Sequence, residues 1–126
     1  MKKRILIIDD NQDILELTEF LLNEKGYEVV ASSTPHILSE LSQINPDLIL
    51  LDIIMPVMDG ITMIKKLREA NEWGKTVPVI FLTNLGADDD NIMKAITDDE
   101  PAYYLVKSDH TINDILEKVK ERLFRV

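Results

Sequence analysis

Residues 47–60, "DLILLDIIMPVMDG", decide how the fold is read. Leu48 to Leu51 form an unbroken apolar run that ends in one carboxylate, Asp52, after which the chain meets Pro56 and the turn pair Asp59-Gly60. A short continuous apolar run bounded by turn signals reads as a strand buried on both faces, and such strands belong to parallel sheets covered by helices. Asp52 then stands at the carboxyl end of a central strand, where a charge needs either water or partners.

Outward from that stretch, strand-length runs alternate with segments of helical period. The strands are "RILIID" (4–9), "YEVVAS" (27–32), "DLILLD" (47–52), "VPVIFLT" (77–83) and "AYYLVK" (102–107). Between the first two, "NQDILELTEFLLNEKG" (11–26) places Ile14, Leu17 and Leu21 on one helical face before Gly26 stops it. "PHILSELSQIN" (35–45) turns Ile37, Leu38, Leu41 and Ile44 inward and ends before Pro46, and a third helix from Ile61 to about Asn71 carries Ile64 and Leu67 on one side. "GADDDNIMKAITDD" (86–99) reads as a fourth helix with three aspartates at its start, where the dipole favours them. Ile112, Ile115, Leu116, Val119 and Leu123 set the inner stripe of the last. Five strand-helix alternations predict an α/β fold: a doubly wound, five-stranded parallel sheet with helices on both faces.

Composition narrows the function classes. The chain has 126 residues, 45% of them apolar, about one domain. No apolar run approaches the ~18 residues that span a bilayer, and "MKKRILIIDDN" turns acidic too early for a signal peptide. These features predict an unprocessed cytoplasmic chain without a membrane role. Zero cysteines exclude a disulfide framework, thiolate metal sites and thiol nucleophiles. With 14 basic and 23 acidic side chains, the net charge of −9 opposes direct nucleic-acid binding.

In open parallel sheets, ligands sit in the crevice outside the carboxyl ends of the strands. Strand one ends in Asp9 and Asp10, strand three in Asp52, strand four in Thr83 and strand five in Lys107; strand two ends in Ala31 and Ser32, which suits an edge away from the site. Singly, each residue has an ordinary structural reading: Asp10 or Asn11 as a helix cap, Asp52 in a turn, Thr83 as a loop cap, Lys107 as a solvated strand end. Jointly they point elsewhere. Three carboxylates on adjacent strand ends repel unless a cation sits among them, and an all-oxygen set suits magnesium. Lys107 adds a second positive charge and Thr83 a hydroxyl donor, which equips the crevice to hold phosphoryl oxygens around a nucleophilic carboxylate, Asp52.

"IIDDN", "LLDIIMPVMDG", "VIFLT" and "YYLVK" together resemble the response-regulator receiver domains of two-component signalling, chemotaxis-type single-domain regulators being nearest in architecture. The resemblance covers nearly the whole chain and implies one receiver domain over 1–126 with the flavodoxin-like strand order 2-1-3-4-5. It implies that Asp52 accepts a phosphoryl group from a sensor histidine kinase or phosphotransfer protein. Asp10 and Asp52 would bind Mg2+ directly, Asp9 through a water, and the backbone carbonyl of Ile54 would complete the protein ligands. Thr83 and Lys107 would contact the phosphoryl oxygens, and Tyr104 would change rotamer as Thr83 moves, with the fourth helix, fifth strand and fifth helix as the output surface for a downstream protein. Ile54 and Leu85 would flank the path of the hydrolytic water; both are branched and apolar, so they predict slow self-dephosphorylation.

Two departures stand out. Ser108 follows Lys107 where receivers usually have proline after a cis bond; without proline that bond costs about 3 kcal/mol, so either the site carries the strain or the loop rearranges. Glu100-Pro101 replaces a common Gly-Ala, so the end of the fourth helix is built differently. Met55 and Met58 are read as packing over the loop, His36 and His110 as surface residues, Trp73 as packing on the third helix, and Asp88 to Asp90 as a solvated helix start.

Other classes fit less well. An aspartate-nucleophile phosphohydrolase needs an acid two residues after Asp52, where Ile54 stands, which disfavours a turnover enzyme. A flavodoxin-like electron carrier needs a glycine- and hydroxyl-rich phosphate loop, which "DDNQD" (9–13) would repel. The runner-up is a pseudo-receiver, an interaction module of the same fold that phosphorylation does not switch. "KERLFRV" gives the last helix a plausible end and predicts a stand-alone regulator.

Overall fold

The apolar runs pair as the period-free pattern requires. The computed structural model describes residues 2–9, 11–33, 40–53, 68–69, 76–83, 102–106 and 111–124, with the backbone alone at 41–42, 52–53, 83 and 102–106. Strands β1 (Arg4–Ile8), β2 (Glu28–Ser32), β3 (Leu48–Ile53), β4 (Val79–Thr83) and β5 (Ala102–Val106) form one sheet in the order β2-β1-β3-β4-β5. Every pairing is parallel. The predicted strand order and the edge position of β2 are both observed.

Side chains alternate across the sheet, and both sets are buried. On one face Ile5 and Ile7, Leu48 and Leu50, and Ile80 and Leu82 form a core with helices α1 (Gln12–Glu24) and α3 (Ile112–Leu123). On the other, Leu6, Ile8, Ile49, Leu51, Val79 and Phe81 are buried as well. Burial on both faces explains why these strands read as continuous apolar runs rather than as alternation.

Helix α1 starts at Asn11, whose Oδ1 accepts from the N–H groups of Asp13 and Ile14 at 3.1 and 3.3 Å. It stops where expected. Gly26 has φ +94, a left-handed conformation that side-chain-bearing residues rarely adopt, and Tyr27 N–H donates back to the Leu22 carbonyl. The inward face, however, corrects the sequence expectation. Leu15, Thr18 and Leu22 are buried, whereas Leu17 is 50% exposed and Ile14 and Leu21 only half-buried. Both triplets have the same helical spacing, so periodicity is equally content with either; docking on β1 and β2 selects the stripe that contains the threonine.

In α3 four of the five expected positions face the core, Leu116 and Val119 buried and Ile115 and Leu123 packed partly against it, while Ile112 in the first turn is half-buried. A capping box opens this helix, Thr111 N–H donating to Asp114 Oδ2 at 2.9 Å and Asp114 N–H to Thr111 Oγ1 at 3.3 Å. Helix α2 is described over Leu41–Ile44, and Arg68 and Glu69 are helical, as expected for the third helix. The expectations for Ile37, Leu38, Ile64, Leu67, Trp73, His36, His110, Met55, Met58 and the fourth helix lie outside the described residues.

Arg4 ties the amino ends of three strands. Its N–H donates to Asp47 Oδ2 at 2.8 Å, Asp47 N–H donates to the Arg4 carbonyl at 2.7 Å, and its guanidinium bonds the Ile44 carbonyl and Glu28. Nearby, burial first and the Glu117 carboxylate second raise the Tyr27 phenol above its ordinary value of 10.0. A raised folded-state value means the unfolded chain releases this proton first. The stabilising contribution is therefore fully present below about pH 10 and is lost as pH rises through the folded value. Tyr27→Phe should flatten the alkaline limb of a urea-stability profile; an unchanged limb would show that another group sets it.

Candidate functional site at the carboxyl ends of the strands

The strand register fixes where the backbone of some of the predicted site residues lies. Ile8 lies opposite Leu51, so the residues that follow them, Asp9 and Asp52, leave neighbouring strands β1 and β3 at the same level. Asp52 pairs with Leu82 and Ile53 with Thr83, and Thr83 pairs with Val106, the residue before Lys107. Backbone geometry thus brings Asp9, Asp52 and Thr83 to one end of the sheet on three neighbouring strands. Tyr104 lies on β5 opposite Phe81, two residues before Thr83. Asp10, Ile54, Leu85 and Lys107 lie outside the described residues, as do the Lys107-Ser108 bond and the Glu100-Pro101 pair.

Asp9 shows how the local sequence builds this end. It is only 2% exposed, a costly place for a carboxylate without partners. Its backbone N–H donates to the Ser32 carbonyl of β2 at 3.1 Å, and its Oδ1 accepts from Asn11 N–H at 2.9 Å. Asn11 therefore caps α1 with its side chain and holds Asp9 with its backbone. The Ser32 carbonyl escaped the sequence reading because a main-chain acceptor carries no residue signature; Asn11 was legible as a cap but not as the tie to Asp9.

Buried Asp9 and a second aspartate, Asp52, each one residue past the paired Ile8 and Leu51, suit a hard divalent cation, which takes oxygen ligands and offsets like-charge repulsion. The residues present therefore fit the magnesium inferred from the sequence. Among the described residues no group of three His, Cys, Asp or Glu side chains gathers into a metal site; Asp10 is not among them, and Asp52 is described by its backbone.

The family model of the response regulator receiver domain matches residues 5–120. The chain belongs to this family. Receiver domains are phosphoacceptor signalling modules that generally bind Mg2+ at the phosphorylation site and interact with histidine kinases and downstream effectors. This receiver domain is 39% identical over 83 residues to the CAI-1 autoinducer sensor kinase/phosphatase CqsS of Vibrio cholerae, an alignment covering 65% of the chain and 12% of that protein. It is 34% identical over 94 residues to the alkaline phosphatase synthesis transcriptional regulatory protein PhoP of Bacillus subtilis, covering 74% of the chain and 38% of that protein. The chain thus spans well under two thirds of either relative. Among solved structures, the chemotaxis response regulator CheY4 of Vibrio cholerae superposes with a TM-score of 0.80 at 25% identity, covering 98% of this chain and 100% of that one. Among the described residues, no helix is long and apolar enough to cross a membrane.

Proposed function

We propose that this receiver domain, residues 1–126, is a phosphorylation-controlled switch whose phosphoacceptor is Asp52. The observation that carries the reading is the register that makes Asp9 and Asp52 successors of the paired residues Ile8 and Leu51, with Thr83 on the next strand. A carboxylate oxygen of Asp52 attacks the phosphorus of a phosphohistidine, the phosphorus–nitrogen bond breaks, and the imidazole leaves carrying the electron pair and takes up a proton. The donor is a sensor histidine kinase or phosphotransfer protein of the cytoplasm.

Asp9, Asp10, Asp52 and the Ile54 carbonyl would hold Mg2+, Asp9 through a water. When bound, the ion neutralises the clustered carboxylates and the charge that develops on the phosphoryl oxygens. Lys107 pairs with one of those oxygens and Thr83 donates its hydroxyl to another. The movement of Thr83 frees space for Tyr104, which links the site to an output face formed by the fourth helix, β5 and α3; a downstream protein reads that face. Support for this link comes from the backbone, where Thr83 and Tyr104 lie on adjacent strands.

Incubation with Mg2+ and acetyl phosphate, followed by intact-mass measurement, tests the reading. One added phosphoryl group is expected; an unmodified mass would leave the pseudo-receiver reading in its place. The same sample, after removal of the donor, reports lifetime. Ile54 and Leu85 offer the attacking water no hydrogen bond, so hydrolysis should be slow, and Ile54→Asn should speed it by roughly tenfold or more because an amide can orient that water. An equal or slower rate in Ile54→Asn would mean that water access is not limiting.

A further inference from the structure

At the opposite end of the sheet from Asp52, a groove of about 590 Å³ opens between the amino end of β1, the α1–β2 turn and α3. This volume lies within the ~300–1,000 Å³ of small-ligand sites. Three kinds of group line it. Lys2, Lys3, Lys25 and Lys120 supply four ammonium groups. Tyr27, Leu116 and Phe124 supply apolar and aromatic surface, with Tyr27 and Leu116 buried in the floor and Phe124 54% exposed at the rim. Glu117 supplies one carboxylate, close enough to Tyr27 to act on its phenol.

The lysines are out of keeping with the rest of the chain. The protein carries 23 acidic residues and a net charge of −9, yet among the described residues none of these four ammonium groups forms an ion pair. Lys118, two residues before Lys120 on the same helix, does pair, with Glu121. Four like charges around one concavity repel, and an anion that enters it relieves that repulsion.

We propose that this groove is a binding site for a nucleoside polyphosphate. The ammonium groups take the phosphates, the exposed face of Phe124 and the Tyr27–Leu116 floor take the base, and the Glu117 carboxylate accepts from an N–H or O–H of the nucleoside. A purely inorganic polyanion would use the lysines but leave the apolar floor wet and meet Glu117 as a repulsive charge. An acidic peptide would satisfy the lysines but needs an extended edge or helix groove, which a concavity of this size does not offer.

The test is titration of the whole chain, in chelator and low salt so that no metal–phosphate complex forms at Asp52, with ATP, GTP, inorganic triphosphate and an oligoglutamate peptide. Amide chemical shifts of residues 25–27 and 116–124 are followed, and affinities are measured by calorimetry. ATP or GTP is expected to move these amides and to bind more tightly than inorganic triphosphate. Lys25→Gln with Lys120→Gln, both at exposed positions, should weaken nucleotide binding by roughly tenfold or more, each lysine contributing a charge-assisted contact. Lys118→Gln should leave it unchanged, and Phe124→Ala should remove the advantage of nucleotide over inorganic triphosphate. Silence of these amides toward both nucleotides, equal binding of inorganic triphosphate, equal loss in Lys118→Gln, or a response to oligoglutamate alone would each overturn the proposal.

Discussion

Asp52→Asn is expected to abolish phosphoryl acceptance from acetyl phosphate and, in chelator, to raise the melting temperature. The two effects have one origin. Asp52 and Asp9 each come one residue after the paired Leu51 and Ile8, Asp9 is 2% exposed, and Asp10 follows directly in the chain. An amide cannot form the acyl phosphate, and it removes one negative charge from a region where water screens poorly. The gain should be on the order of a few kcal/mol, because at the effective dielectric of ~20 found near a protein surface two like charges ~4 Å apart repel by roughly 4 kcal/mol, and by less at greater separation. Magnesium should stabilise the wild type, by binding the folded state alone, and stabilise Asp52→Asn much less. Paired melts with and without Mg2+ give all four values. A lower melting temperature for Asp52→Asn in chelator would contradict the account, as would a wild type indifferent to Mg2+.

Phe81→Ala should cost about 3–5 kcal/mol, the range for truncating a fully buried aromatic ring. Phe81 is 0% exposed at the middle of β4, opposite Leu51 on one side and Tyr104 on the other. Domains of ordinary size hold only ~5–15 kcal/mol in total, so this one change should consume a large part of the stability and lower the urea midpoint accordingly. Phe81→Leu keeps apolar volume and should cost less than half as much. Both are read from equilibrium urea unfolding. A loss below about 1 kcal/mol in Phe81→Ala would mean that the sheet repacks around the cavity, contrary to the close packing expected of its interior.

Features that depend on local chemistry and short periods were legible in the residues alone. Continuous apolar runs marked strands buried on both faces, and alternation with helical segments marked a parallel sheet. Gly26 marked the end of α1 because only a residue without a side chain takes φ +94 cheaply. Asp9, Asp52 and Thr83 declared themselves as polar residues at the ends of apolar runs, and a rule about strand ends was enough to group them. Packing settled the choices among sequence-equivalent options and the groupings of distant residues. The stripe Leu15, Thr18, Leu22 and the stripe Ile14, Leu17, Leu21 share one period, and only the fit of α1 against β1 and β2 distinguishes them. The Ser32 carbonyl that holds Asp9 is main chain, so no residue type announces it. Lys2, Lys3, Lys25 and Lys120 lie more than a hundred positions apart at their extremes, and their shared groove exists because the fold brings the start of β1, the α1–β2 turn and the end of α3 to the same end of the sheet.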